Sequence, residues 1–157
     1  VRLVAQKELQ SDGLDSILHS TLAKMAKTAG AAFCPSLGHL MPQLLDEAKA
    51  QPPFELEKVE QECADDAQLR EDGYEIEYIQ NGGKGLVRVK VHAAGMQSKS
   101  LALTALCEYA EALGSAFVPH IQPVQAACLA AIGYKFSDEV RGAATQALGA
   151  AYKCVVH

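Results

Sequence analysis

The sequence has no tryptophan, and aromatic residues make up only 6% of its 157 positions. It has no C-x-x-C pair and no group of cysteine and histidine with the spacing of a zinc site. No apolar run of 18 residues and no signal-peptide pattern occurs. We therefore expect neither a metal site nor insertion into a membrane. Alanine and leucine supply most of the apolar residues, which favours closely packed helices over an aromatic-rich sheet.

A surplus of basic residues is also missing, since the net charge is −5 and the isoelectric point is about 5.5. A basic surface is the usual mark of nucleic-acid binding, so we expect no direct contact with nucleic acid. The cysteines are odd in number and far apart, which predicts free thiols and a reducing compartment, cytosol or nucleus. They are Cys34, Cys63, Cys107, Cys128 and Cys154.

Motifs of catalysis and cofactor binding are absent as well. The five histidines are scattered, and no G-x-S-x-G sequence is present. The glycines of Gly82-Gly83-Lys84-Gly85 match neither phosphate-loop pattern, and a hairpin turn is the favoured interpretation. We therefore expect that the protein is not an enzyme and binds no cofactor.

Apolar residues recur at helical spacing along most of the chain. Two similar six-residue motifs each separate two such segments and lie 84 residues apart. They are Gly30-Ala31-Ala32-Phe33-Cys34-Pro35 and Gly114-Ser115-Ala116-Phe117-Val118-Pro119. Glycine ends a helix and proline begins the next, so the motifs predict one corner that occurs twice. The predicted helices span about 14–29, 35–49, 96–113, 119–132 and 137–154.

The last helix begins with a motif typical of stacked helical repeats. Ser137 is a good N-cap, and Asp138 and Glu139 complement the helix dipole in the first turn. The run from Asp138 through Val140 and Arg141 resembles the HEAT-repeat consensus, in which the aspartate and arginine link neighbouring repeats. An ordinary capped helix is the alternative for this motif alone. With the repeated corner it predicts an all-α superhelix of HEAT repeats over residues 1–157, built from antiparallel helix pairs.

Residues 50–91 interrupt this pattern as an acidic insertion. From Asp46 to Glu77 there are twelve acidic and three basic residues, a local net charge of −9. Glu55 to Arg70 fits either a short polar helix or a mobile segment. From about 74 to 91, two alternating runs flank Gly82-Gly83 and predict a β-hairpin in which Tyr78 pairs with Val87.

The same hairpin register pairs acidic with basic residues. It sets Glu77 beside Arg88 and Glu75 beside Lys90. The other acids of the insertion are either a protein-binding surface or a solvated loop, and composition alone leaves both open. The candidate interaction residues are Glu55, Glu57, Glu60, Glu62, Asp65, Asp66, Glu71 and Asp72, and the candidate inter-repeat pair is Asp138 and Arg141.

Three segments, in this order and spacing, resemble the importin-beta (karyopherin-beta) superfamily of nuclear transport receptors, most closely the importin-five (karyopherin beta-three) type. They run from Glu71 to Ile76, from Lys99 to Phe117, and from Ser137 to Ala144. The resemblance implies an internal fragment of a longer HEAT-repeat receptor that shuttles between cytoplasm and nucleus through the nuclear pore. It implies three partners: cargo proteins with basic localisation signals, the Ran GTPase and Phe-Gly nucleoporins.

A second hypothesis is a HEAT-repeat scaffold or adaptor outside transport, with the same fold and no response to Ran. Both hypotheses treat the chain as a piece of a longer protein, since it begins at Val1 and ends at His157 without a helix stop. A helix pair cannot cover its own apolar stripe, so both predict exposed apolar surface at the two ends.

Overall fold

The computed structural model describes residues 17–80, 82 and 85–156 of the chain. Within them lie six helices and a three-stranded sheet, so the fold is mostly helical. The predicted first helix covers residues 17–29 here, and residues 14–16 of that prediction lie outside the described residues. In chain order the elements are α1 (17–29), α2 (Cys34–Lys49), β1 (Phe54–Val59), α3 (Asp66–Glu71), β2 (Tyr74–Gln80), β3 (Leu86–His92), α4 (Ala93–Leu113), α5 (Ile121–Ile132) and α6 (Asp138–Val156).

The two repeated motifs form the same corner. Each begins with a short 3-10 turn, and the glycine that opens it has a positive φ, +55° at Gly30 and +52° at Gly114. Only glycine adopts that backbone region without strain. The phenylalanine of each motif, Phe33 or Phe117, is buried in the core. Each corner therefore turns the chain and anchors it with one aromatic ring.

Helix α4 is the centre of the helical body. It packs against α6 and against α2, while α5 packs against α6 and α2. Leu103, Leu106 and Tyr109 of α4 are fully buried, and the Tyr109 ring stacks on Phe33 with centroids 6.1 Å apart. The segment Ala93–Ile132 reaches a mean hydropathy of 1.3, long and apolar enough by composition to cross a membrane. In this fold its buried residues, among them Leu103, Leu106 and Phe117, form part of the core that α2 and α6 share, while Val118 and Leu129 are exposed.

The start of α6 is held by local contacts. Ser137 Oγ accepts a hydrogen bond from the Val140 amide at 3.3 Å. Arg141 forms an ion pair with Asp138 one turn earlier, and its Nη1 donates to the Tyr134 carbonyl at 2.8 Å. These contacts join α6 to the corner before it, and a link from this pair to another repeat stays a prediction.

The sheet is antiparallel, with strand order β1-β3-β2. Its register puts Phe54, Leu56, Val89 and Val91 on one face, which we call the valine face. The opposite face, which we call the charged face, carries Glu55 and Glu57 of β1, Arg88 and Lys90 of β3, and Ile76 and Tyr78 of β2. Helix α3 packs against β2.

The predicted hairpin is present as β2 and β3, but two details of the insertion differ from the prediction. The sheet has a third strand, because residues 54–59 form β1, and the short polar helix that was one alternative for Glu55 to Arg70 is confined to α3. The hairpin register is also shifted by one residue, so that Tyr78 pairs with Arg88 and Glu77 with Val89. The shift follows from β1, whose Phe54 and Leu56 share the valine face with Val91 and Val89. Ile76 then lies on the charged face and is buried there.

Candidate protein-interaction site

The centre of the charged face is Arg88, whose side chain is 5% exposed. Its guanidinium reaches three carboxylates: Nη2 donates to Glu57 Oε2 at 2.5 Å, and Nη1 donates to Asp65 Oδ1 at 2.7 Å and Asp66 Oδ1 at 2.9 Å. The hydrogen bonds that Arg88 donates, first the one to Asp65 and then those to Glu57 and Asp66, raise the pKa of Arg88. A buried guanidinium needs such partners, because an unpaired charge in the interior is costly.

A tyrosine completes this group, which we call the arginine cluster (Arg88, Glu57, Asp65, Asp66 and Tyr78). The Tyr78 hydroxyl donates to Asp66 Oδ2 at 2.6 Å and accepts from the Cys63 amide at 2.8 Å. Burial and the bond to Asp66 raise the pKa of Tyr78 to about 12. The bonds from Tyr78 and Arg88 hold the pKa of Asp66 below its ordinary value.

The cluster fixes helix α3 to the sheet. A helix of six residues does not form on its own, because nucleation is unfavourable and few hydrogen bonds follow it. Asp65 and Asp66 stand at its start, where negative charge also complements the helix dipole. Their bonds to Arg88 of β3 and Tyr78 of β2 therefore hold α3 over the charged face.

The second cation of β3, Lys90, binds acids of β1. Its Nζ lies 2.9 Å from Glu55 Oε2 and 3.8 Å from Glu57 Oε2. The bond to Lys90 lowers the pKa of Glu55. This carboxylate is 70% exposed, so the pair contributes little to stability but orders the β1–β3 ladder.

The eight candidate interaction residues divide into two sets of four. Glu55, Glu57, Asp65 and Asp66 are engaged by Lys90 or Arg88. In the other set, Glu60, Glu62 and Glu71 are exposed, and Asp72 is half-buried and accepts a hydrogen bond from Gln68. No cation pairs with these four within the part of the chain that the structure describes, so they are the acids available to another molecule.

The expected role of Glu75 and Glu77 is wrong. They were expected to pair with Lys90 and Arg88, but the register sets them beside Val91 and Val89 on the valine face. Both are exposed. The insertion therefore presents carboxylates on both sides of the sheet.

Sequence reasoning missed β1 and with it the role of Arg88. The signal was present in Phe54-Glu55-Leu56-Glu57, which alternates apolar and acidic residues in the same way as Tyr74 to Glu77. Such alternation is typical of a strand with two different faces. Reading this run as a third strand would have predicted that β3 pairs on both edges and that acids of the third strand lie near Arg88.

A second cation missed from the sequence is Lys99 of α4. It is buried, and its Nζ donates to the Ala48 carbonyl and, at 2.9 Å, to the Ala50 carbonyl. These groups end α2, where a positive charge is favourable. Burial lowers the pKa of Lys99. Its ammonium also lies 5.7 Å from the centroid of the Tyr134 ring. Lys99 thus joins α2 to α4 and has a structural role.

The described residues contain no group of three or more histidine, cysteine, aspartate or glutamate side chains that could hold a metal ion. The cysteines among them are free thiols, and burial raises the pKa of Cys128 to about 11. A protonated, buried thiol is a poor nucleophile. What the charged face offers chemically is hydrogen-bond acceptors and negative charge.

Comparison with solved structures finds crystal structures of the karyopherin Kap121p. Kap121p alone is 25% identical in sequence, with a TM-score of 0.73, over 92% of this chain and 14% of Kap121p. Kap121p bound to the extreme C-terminus of the protein phosphatase Cdc14p is 23% identical, with a TM-score of 0.72, over 94% of this chain. Kap121p bound to RanGTP has a TM-score of 0.72 over 92% of this chain.

No protein-family model matches the chain, and no curated protein sequence matches it. The chain spans 14% of the length of the Kap121p chains to which it is similar. The match nevertheless covers nearly all of this chain. In fold, this chain is similar to a short stretch of a karyopherin.

Proposed function

We propose that this chain is a segment of a HEAT-repeat nuclear import receptor of the importin-five type. Such a receptor carries cargo with basic localisation signals through the nuclear pore, contacts Phe-Gly nucleoporins and releases cargo to RanGTP. The observation that supports this most is the similarity to Kap121p over 94% of the chain. Kap121p has been crystallised with Nup53p and with RanGTP, which makes a nucleoporin and Ran reasonable partners to test.

The ends of the helical body fit a segment of a longer stack. Ile17 and Met25 of α1 are 67% and 55% exposed, and Val155 and Val156 of α6 are 60% and 79% exposed. Apolar surface of this kind is covered in repeat proteins by the next helix pair. The proposal therefore assigns these two surfaces to neighbouring repeats.

The proposed cargo contact is the set of four available acids, Glu60, Glu62, Glu71 and Asp72. They belong to a segment of net charge −9, which favours a basic partner through complementarity and faster association. Asp65 and Asp66 are poor choices for testing this, because reversing them would also break the arginine cluster.

The cargo test uses the receptor that carries this segment. Glu60→Lys with Glu62→Lys should weaken binding of a basic cargo peptide roughly tenfold at physiological salt, since two exposed carboxylates are reversed. The matched control is Glu75→Lys with Glu77→Lys, the same charge change two residues apart on the other side of the sheet. Equal affinity of both double variants for the peptide would exclude the proposed contact.

The transport role is tested separately, by capture of the receptor on immobilised Ran loaded with GTP or GDP. Transport predicts capture by the GTP form and release of bound cargo. A HEAT scaffold or adaptor outside transport predicts no capture by either form.

A further inference from the structure

The outer edge of β1 is open. The sheet order places β1 beside β3 alone, and none of residues 17–80, 82 and 85–156 pairs with its other edge. An open edge presents unpaired backbone N–H and C=O groups, which can form a ladder with a strand from another chain.

The side chains of this edge are exposed and alternate in character. On the valine face, Phe54 is 50% exposed and Leu56 is 62% exposed. On the charged face, the side chains of Glu55 and Glu57 are 70% and 48% exposed although they bind Lys90 and Arg88. A strand beside β1 would thus meet Phe54 and Leu56 on one face, with Lys58 at the end of that face, and carboxylates on the other face.

The valine face also borders a groove of about 480 Å³. Phe54, Leu56 and Ile79 line it from the sheet, and Tyr134 and Phe136 line it from the loop after α5. The Phe54 and Phe136 rings lie 4.8 Å apart at their centroids. Apolar side chains of an added strand would lie next to Phe54 and Leu56 and gain contact area at this groove.

The strand that β1 already binds shows what such a partner looks like. In β3, Val87, Val89 and Val91 alternate with Arg88 and Lys90. Val89 and Val91 lie beside Leu56 and Phe54 of β1, Val87 lies beside Lys58, and the two cations meet the acids of β1. We propose that the open edge of β1 binds an extended segment of a partner protein in which aliphatic residues alternate with lysine or arginine. The bound segment extends the sheet to four strands.

A second copy of this chain is a poor occupant of the same edge. Pairing β1 with β1 so that the two faces match would bring Glu55 and Glu57 of each copy beside the acids of the other, and like charges on neighbouring strands repel. A register shifted by one residue would set these acids on the same face as Phe54 and Leu56 of the other copy. The central strand β3 has both edges occupied. Strand β2 of a second copy would set Glu75 and Glu77 beside Phe54 and Leu56 if the sheet faces match, or beside Glu55 and Glu57 if they do not. The proposal does not depend on the transport function, since an adaptor would use the edge in the same way.

The test uses the 157-residue chain and a fluorescent, end-capped peptide, Lys-Val-Arg-Val-Lys-Val-Lys. We expect saturable binding by anisotropy and slower amide exchange in residues 54–59. Two controls keep the charge constant: a scrambled peptide with the three valines together, and a peptide N-methylated at alternate residues on one edge. Both should bind roughly tenfold more weakly or worse. The scrambled peptide loses the match between its side chains and the two faces of β1, and the N-methylated peptide loses backbone hydrogen bonds.

Two protein variants locate the site. Leu56→Lys should weaken peptide binding about tenfold, since it places a cation beside the basic strand and removes an apolar contact. Ile79→Lys is the matched control, because Ile79 is also exposed and lines the groove but lies on the far strand β2. Equal weakening by both variants would replace strand addition by a groove site. Full affinity of the N-methylated peptide, or a dimer that Leu56→Lys dissociates, would also overturn the proposal.

Discussion

Two buried tyrosines differ in one respect that a single-atom substitution can measure. Tyr134 is 6% exposed, and its hydroxyl has no hydrogen-bond partner in the described part of the chain. Burial, together with the nearby charge of Glu75, raises its pKa. Tyr109 is fully buried, but its hydroxyl is hydrogen-bonded to His19 Nδ1 at 3.2 Å. Replacing each by phenylalanine removes one oxygen from the interior.

The expected effects on the free energy of unfolding have opposite signs. An unpaired buried hydroxyl costs about 1–3 kcal/mol, and the small void left by removing it costs a few tenths. Tyr134→Phe should therefore stabilise the chain by about 1–2 kcal/mol. Tyr109→Phe should destabilise it by about 1 kcal/mol, the typical net value of one hydrogen bond. For a chain of this size each kcal/mol moves the melting temperature by about 3 °C.

The assay is thermal and urea unfolding of the chain and both variants, followed by far-ultraviolet circular dichroism. We expect Tyr134→Phe to melt about 3–6 °C above the parent and Tyr109→Phe about 3 °C below it. Similar losses in both variants would show that the Tyr134 hydroxyl has a partner. The physical reasoning about this residue would then be refuted.

Three further predictions concern the arginine cluster and the core. Arg88→Gln should speed amide exchange in α3 and β1 by far more than Lys90→Gln, because Arg88 bonds both acids at the start of α3 as well as Glu57 of β1, whereas Lys90 binds acids of β1 only. The pKa of Asp66 is lower in the folded than in the unfolded chain, so its stabilising contribution is complete above about pH 4 and disappears as the pH falls through the folded value. The protection of α3 amides, measured relative to their intrinsic exchange rates, should therefore fall between pH 6 and 3. Phe117→Ala should destabilise the chain by about 3–5 kcal/mol in urea, because the ring is fully buried.

Helices and corners could be predicted because their causes are local. Three local features act within a few residues: the positive φ of Gly114, +52°, the proline that follows it and the apolar spacing of α4. The observed helix starts at Ala93, three residues before the predicted position, because it follows β3 directly. The first residue of a helix therefore depends on where the preceding strand ends, which the helix's own sequence does not specify.

The sheet register could not be predicted from β2 and β3 alone. Two alternating strands fit in either of two registers, and the apolar-to-apolar choice is the natural one when only two strands are considered. In the fold, each face is partly covered, the valine face by the loop at Phe136 and the charged face by α3. Ile76 is therefore buried on the charged face, beside Lys90, whereas the predicted register paired it with a valine of β3.

By itself, the sequence determined the helical body, the repeated corner and the excess of acid in the insertion, since periodicity, glycine conformation and charge are properties of neighbouring residues. Only the tertiary structure decided which acids are available to a partner. Arg88 engages Glu57 from 31 residues away and Asp66 from 22 residues away, and no local pattern specifies such pairings. Burial of one guanidinium requires several carboxylates around it, and that requirement separates the structural acids of this protein from the exposed ones.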